Sequence, residues 1–118
     1  MKNVSFMTTE DGDDLIVSFA IPDPDSFDVK SLTLLCTPKY EFILEDAERG
    51  VNVSYDDFCD DEDDYLEEIQ VGKDVVRLVT SHHRYTLDVR HVDDGQKKRM
   101  KRILKRMNFD NRFTLKVV

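Results

Sequence analysis

The sequence contains no tryptophan, and only four glycines, three prolines and two cysteines among 118 residues. Four glycines are too few for a phosphate-cradling loop. Neither G-x-x-x-x-G-K-[ST] nor G-x-G-x-x-G occurs, and there is no G-x-S-x-G elbow. Two cysteines make no disulfide framework. Cys36 lies in the apolar run LTLLCTP and reads as a small buried hydrophobe. Cys59 lies among carboxylates that disfavour its thiolate. No stretch approaches the ~20 apolar residues of a membrane span. The N-terminal MKNVSFMTTEDGDD has no apolar core of signal-peptide length. The expectation is a cytoplasmic protein without disulfide or membrane contact.

Positive charge is also scarce. Seventeen Lys and Arg face twenty-five Asp and Glu, for a formal net charge of −8. Seven of the basic residues fall within Lys97 to Arg106 (KKRMKRILKR), so the remainder of the chain carries −8 − 7 = −15. That balance disfavours a general binder of nucleic acid or anionic membrane, because phosphate contact depends on positive potential. It favours solubility and attraction to a basic partner. Hydrophobic residues make up 40% and charged residues 36%, with seven Phe and four Tyr. This is a globular composition with a polar surface, in a single domain spanning 1–118.

The β signal dominates. Met1 to Thr8 alternates weakly as a first strand. The turn EDGDD follows, with Gly12 available for positive φ. Leu15 to Ile21 (LIVSFAI) is β-branched and aromatic and ends at Pro22. PDPDSFDVKS is a loop, and Ser31 to Thr37 is the next strand. Tyr40 to Glu45 and Val51 to Tyr55 form a hairpin around AERG. Asp64 to Val71, Asp74 to Thr80 and Arg84 to Arg90 make a three-stranded meander with turns at Gly72-Lys73 and Ser81-His82-His83. Asp93 or Asp94 caps a helix whose Met100, Ile103, Leu104 and Met107 share one apolar face. Asn108 stops the helix, and Arg112 to Val118 is a last strand after a turn at Asp110-Asn111. The expected fold is α+β: a predominantly antiparallel sheet of seven or eight strands, with one C-terminal amphipathic helix packed on it.

The candidate site is the acidic segment from Asp56 to Glu68 (DDFCDDEDDYLEE). Its spacing does not match the calcium loop D-x-[DN]-x-[DN]-G. Mutually repelling exposed carboxylates are a poor setting for a single raised pKa, which argues against acid–base catalysis. Two readings remain. One is a solvated loop that aids solubility. The other is a partner-facing surface that enters a basic cleft, with Asp56, Asp57, Asp60, Asp61, Glu62, Asp63 and Asp64 supplying charge. Tyr55, Phe58 and Tyr65 would supply aromatic anchors.

The cations of the basic helix cover everything except its apolar stripe. This pattern is that of a solvated helix face, paired with acidic loops of the same chain or of another copy. No aromatic residue is interleaved there to stack bases, so nucleic acid is not the expected partner. His82 and His83 adjoin a turn and would point to opposite sides of a strand, which does not make a zinc site. No metal, cofactor or enzymatic activity is expected.

The order of elements from Tyr40 onward resembles the small β-rich immunity proteins of bacterial polymorphic toxin systems, in particular the immunity protein 10 family. The residues that carry the likeness are GVNVSY at Gly50 to Tyr55, the acidic segment, EEIQVGKDVVRLVT, RYTLDVR, and the helix ending in KRMNFDNRFTLKV. The likeness is one of layout and residue character. It implies a β-dominated protein that binds and neutralises a cognate toxin, and it carries over no catalytic residue. The alternative is a structural or oligomerisation module whose sheet edge or basic helix meets another copy.

Overall fold

Alternation of apolar and polar residues at period two places one face of each strand in a core. Among the described residues it produces nine strands: β1 Lys2–Asn3, β2 Phe6–Asp11, β3 Leu15–Pro22, β4 Val29–Cys36, β5 Asn52–Tyr55, β6 Leu66–Val71, β7 Val75–Thr80, β8 Arg84–Asp88 and β9 Thr114–Val117. The helix described with them, α1, spans Asp94–Met107. The computed structural model describes residues 2–25, 28–37, 50–56, 64–109 and 111–117. The α+β class with a single C-terminal helix is therefore as expected among the described residues. The strand expected over Tyr40 to Glu45 lies outside them, and with it that side of the expected hairpin with Val51 to Tyr55.

The strands form two sheets, with orders β1-β8-β7-β6-β9 and β2-β3-β4-β5. The meander β6-β7-β8 is present as read from the sequence. Two pairings are parallel, β1 with β8 and β6 with β9. The first expected strand is split in two. Val4 N–H donates to Asp88 C=O at 2.9 Å, and Ser5 N–H donates to Ala20 C=O at 2.9 Å. Consecutive amides thus bond to different sheets, and the chain crosses between sheets at that point. A second link joins β5 to the start of β6. Val53 N–H donates to Asp64 C=O at 2.8 Å, Leu66 N–H donates to Val51 C=O at 2.9 Å, and Asn52 lies opposite Tyr65. Backbone hydrogen bonds therefore run in a closed circuit through both sheets. Gly12 does not use positive φ; among the described residues Gly50 and Asn111 do.

Both sheets and the helix contribute to one hydrophobic cluster, with Phe19, Leu32, Leu34, Ile69, Leu78, Leu87, Met100 and Leu104 almost wholly buried. The side chain of Asp93 caps α1 by accepting from Gln96 N–H, and Asp94 lies in the first turn. Lys105 and Arg106 lie in the last turn, so both ends suit the helix dipole. Met100, Ile103, Leu104 and Met107 are its buried face.

Outside the core the two sheets differ. The five-stranded sheet presents Glu68, Arg77, Arg84 and Lys116 among its outward positions, an ordinary solvated face. The four-stranded sheet is different. Its non-core positions are Phe6, Thr8 and Glu10 on β2, Ile16, Ser18, Ala20 and Pro22 on β3, Val29, Ser31, Thr33 and Leu35 on β4, and Asn52 and Ser54 on β5. One of these, Glu10, is charged, in a chain that is 36% charged. Register aligns Thr8, Ser18, Thr33 and Ser54 as a row of hydroxyls, with Ser18 Oγ and Thr33 Oγ1 3.3 Å apart.

Candidate functional site

The acidic segment joins β5 to β6, and hence one sheet to the other. Asp57, Phe58, Asp60, Asp61, Glu62 and Asp63 lie outside the described residues; Tyr55, Asp56, Asp64 and Tyr65 lie inside. The two stems are pinned. Asp56 is exposed, yet its N–H donates to Ser31 C=O at 3.3 Å and its Oδ2 accepts Ser31 N–H at 2.9 Å. Asp64 is buried. Its Oδ2 accepts the Thr80 hydroxyl at 2.7 Å and its Oδ1 accepts His82 N–H at 3.0 Å. Asp64 was expected to face a partner with the other carboxylates. It instead ties the segment to the β7–β8 turn, because that turn offers two donors within reach of its two carboxylate oxygens.

The same network accounts for the histidine pair. His83 N–H donates to Thr80 Oγ1 at 2.9 Å, and Thr80 N–H donates to His83 C=O at 2.9 Å, which closes the expected turn. Among the described residues no three His, Cys, Asp or Glu side chains gather as a metal site. Beyond Asp64, the β6–β7 register shifts between Leu66 and Glu68, so Glu67 is an extra residue in β6. A bulge of this kind re-aims side chains beside a loop. Glu68 pairs with Lys116 of β9 at 2.9 Å.

Tyr55 is buried, with its ring edge-on to Tyr85 at 5.9 Å. Lys2 Nζ lies 5.0 Å from the centre of the Tyr55 ring, within cation–π range. Tyr55 also borders a half-open cleft of about 660 Å³, walled by Lys2, Ile21, Pro22, Asp23 and Lys30. At its rim Lys30 and Asp23 form an ion pair at 3.3 Å. The cleft thus opens next to the first stem of the acidic segment. Sequence reading found Tyr55 but not Lys2, Asp23 or Lys30. They come from three separate stretches of chain, and no spacing rule links them.

The helix cations are arranged around β2. Gln96 Oε1 accepts Met7 N–H at 3.1 Å, Arg106 is ion-paired with Asp11, and Arg99, Arg102 and Ile103 border a small groove with Thr9. On the other flank Lys97 Nζ donates to Lys73 C=O at 3.0 Å. Pairing of the basic helix with acidic residues of its own chain is therefore realised at Arg106.

One further charged pair stands apart from the site. Asp88 is buried, and Arg90 Nη2 and Nε donate to its carboxylate at 2.8 and 3.1 Å. These hydrogen bonds hold the Asp88 carboxyl below its ordinary range and raise Arg90. Among the described residues no helix is long and apolar enough to cross a membrane. No family model matches this chain, and neither curated proteins nor solved structures give a match.

Proposed function

We propose that the chain is a non-enzymatic binding protein that neutralises a cognate bacterial toxin by setting its acidic segment against a basic site. The observation that supports this reading is the mounting of the segment. Asp56 is hydrogen-bonded to Ser31 on one side, and Asp64 to Thr80 and His82 on the other. A carboxylate-rich stretch fixed at both ends to packed strands is placed as binding loops are, on a scaffold that lowers the ordering needed at contact. The cleft beside Tyr55 offers a recess in which a partner side chain could be desolvated, as at the anchor points of protein interfaces. In this reading Asp56, Asp57, Asp60, Asp61, Glu62 and Asp63 steer and orient the partner. Tyr55 and Asp64 shape the stems, and Phe58 and Tyr65 are the aromatic contacts.

The test begins with capture of binding proteins from the host by the immobilised chain. Each captured protein is then expressed with and without this chain. The expected result is a basic protein that arrests growth alone and is tolerated when co-expressed. With Asp60, Asp61 and Asp63 all changed to Asn, association should slow at low salt and the difference should shrink at high salt. Equal association rates for both forms at low salt would return the segment to a solubility role.

A further inference from the structure

The outer face of the four-stranded sheet departs from the rest of the molecule. Five large hydrophobic residues are exposed among the described residues, and three of them, Phe6 (49%), Val29 (54%) and Leu35 (39%), lie at outward positions of this sheet. Its middle is the hydroxyl row; the one charge within its strands, Glu10, sits on the outermost strand β2, and at the opposite edge the exposed Asp56 carboxylate is bonded to Ser31 N–H. Interface cores are depleted of charge in this way, whereas solvated sheet faces carry it, as the five-stranded sheet does.

We propose that this face is the contact between two copies of the chain in a weak, reversible dimer. Three observations favour a second copy. First, a hydroxyl both donates and accepts, so a Ser and Thr row is complementary to itself, as a two-fold interface requires. Second, each copy carries −8, and two such copies can approach closely only where charge is lacking. A basic partner drawn by the acidic segment would gain nothing from a neutral face. Third, both edges of this sheet are partly occupied, which leaves less backbone open to edge-to-edge association. Gln96 occupies the Met7 N–H of β2, and β5 is bridged to Tyr65. Four strands about 4.8 Å apart and up to eight residues long offer roughly 500 Å² per copy. That is below the ~800 Å² per partner of a standard stable interface, so the dimer forms at high concentration only.

Sedimentation equilibrium of the purified chain tests this. The average mass should rise from 13.8 kDa towards twice that value as concentration increases. The double variant Val29→Lys, Leu35→Lys should fold normally, since both side chains are exposed, and should dimerise at least tenfold more weakly. It should do so although two added lysines reduce the overall negative charge, which by itself favours association. Thr86→Lys on the other sheet is the control and should leave the dimer unchanged. A constant 13.8 kDa over the whole range overturns the proposal, as does self-association that the two lysines leave intact. If the double variant instead loses a captured partner while the parent chain stays monomeric, the face belongs to that partner and the dimer is refuted.

Discussion

The side-chain oxygen of Gln96, in the first turn of α1, accepts a hydrogen bond from the backbone N–H of Met7 on β2 at 3.1 Å. Ten residues further along the helix Arg106 meets Asp11, four residues further along the strand. The spans agree: ten helical residues advance about 15 Å and four strand residues about 13 Å. The basic helix thus lies along an edge strand and occupies the Met7 amide, which would otherwise be open to pairing with another chain. Gln96→Ala leaves the Met7 amide without its partner and should lower stability by about 1 kcal/mol. Hydrogen exchange at Met7 should accelerate more than exchange elsewhere in β2. Unchanged exchange there would remove the edge-sealing role.

The buried stripe of α1 gives a steeper contrast. Leu104 and Ile103 are fully packed, whereas Arg102 is exposed. Leu104→Ala or Ile103→Ala should lower stability by about 2–5 kcal/mol in denaturant melts. Arg102→Ala should stay within about 0.5 kcal/mol. Its neighbours at i−4, i−3, i+3 and i+4, Lys98, Arg99, Lys105 and Arg106, are all like-charged, so losing one cation should not weaken the helix.

The acidic segment divides into two classes of carboxylate. Asp64 accepts from both Thr80 and His82; an Asn there can accept the His82 N–H with its one oxygen, but the Thr80 bond must reverse, with the N–H₂ donating to a hydroxyl that then donates to His83 C=O, and neither bond is charge-assisted any longer. Asp64→Asn should therefore destabilise the fold by about 1–3 kcal/mol. Joint replacement of Asp60, Asp61 and Asp63 by Asn should leave stability equal or slightly higher, since it relieves repulsion. Urea melts of the two variants decide this. Equal melts would mean that the Asp64 bonds contribute nothing net.

Asp88 makes stability depend on pH with a definite sign. Its folded-state pKa is lowered by the Arg90 hydrogen bonds, so the folded state favours the ionised form. The resulting stabilisation is present above the unfolded-state value of about 3.9 and is lost as pH falls through the lower folded-state value. Asp88→Asn should be less stable than the parent chain at pH 7, and the gap should narrow below about pH 4. A gap that stays constant from pH 7 to pH 3 would exclude the ion pair as its cause.

Much of the local architecture was legible in the chain because its causes are local. Four apolar residues at i, i+3, i+4 and i+7 defined the buried face of α1. An aspartate before the first turn defined its cap. Two-residue alternation bounded by Gly72-Lys73 and by the Ser81 turn defined the meander. The acidic segment was equally visible, since charge density requires no fold to be seen.

Pairing between distant segments was not legible. The sequence shows Val4 and Ser5 as neighbours in one strand; only the packed molecule sends their amides to different sheets. Asp64 looks like every other carboxylate in its run until the β7–β8 turn, sixteen and eighteen residues away, brings Thr80 and His82 to it. The charge-poor sheet face gathers Phe6, Val29 and Leu35 from strands whose register no single window of sequence sets. Residue type and periodicity determined which elements form and which side of each is apolar. Tertiary structure decided which edge groups are occupied, which charges are buried and which surface carries little charge, because non-local hydrogen bonds set register, and register sets which side chains share a face.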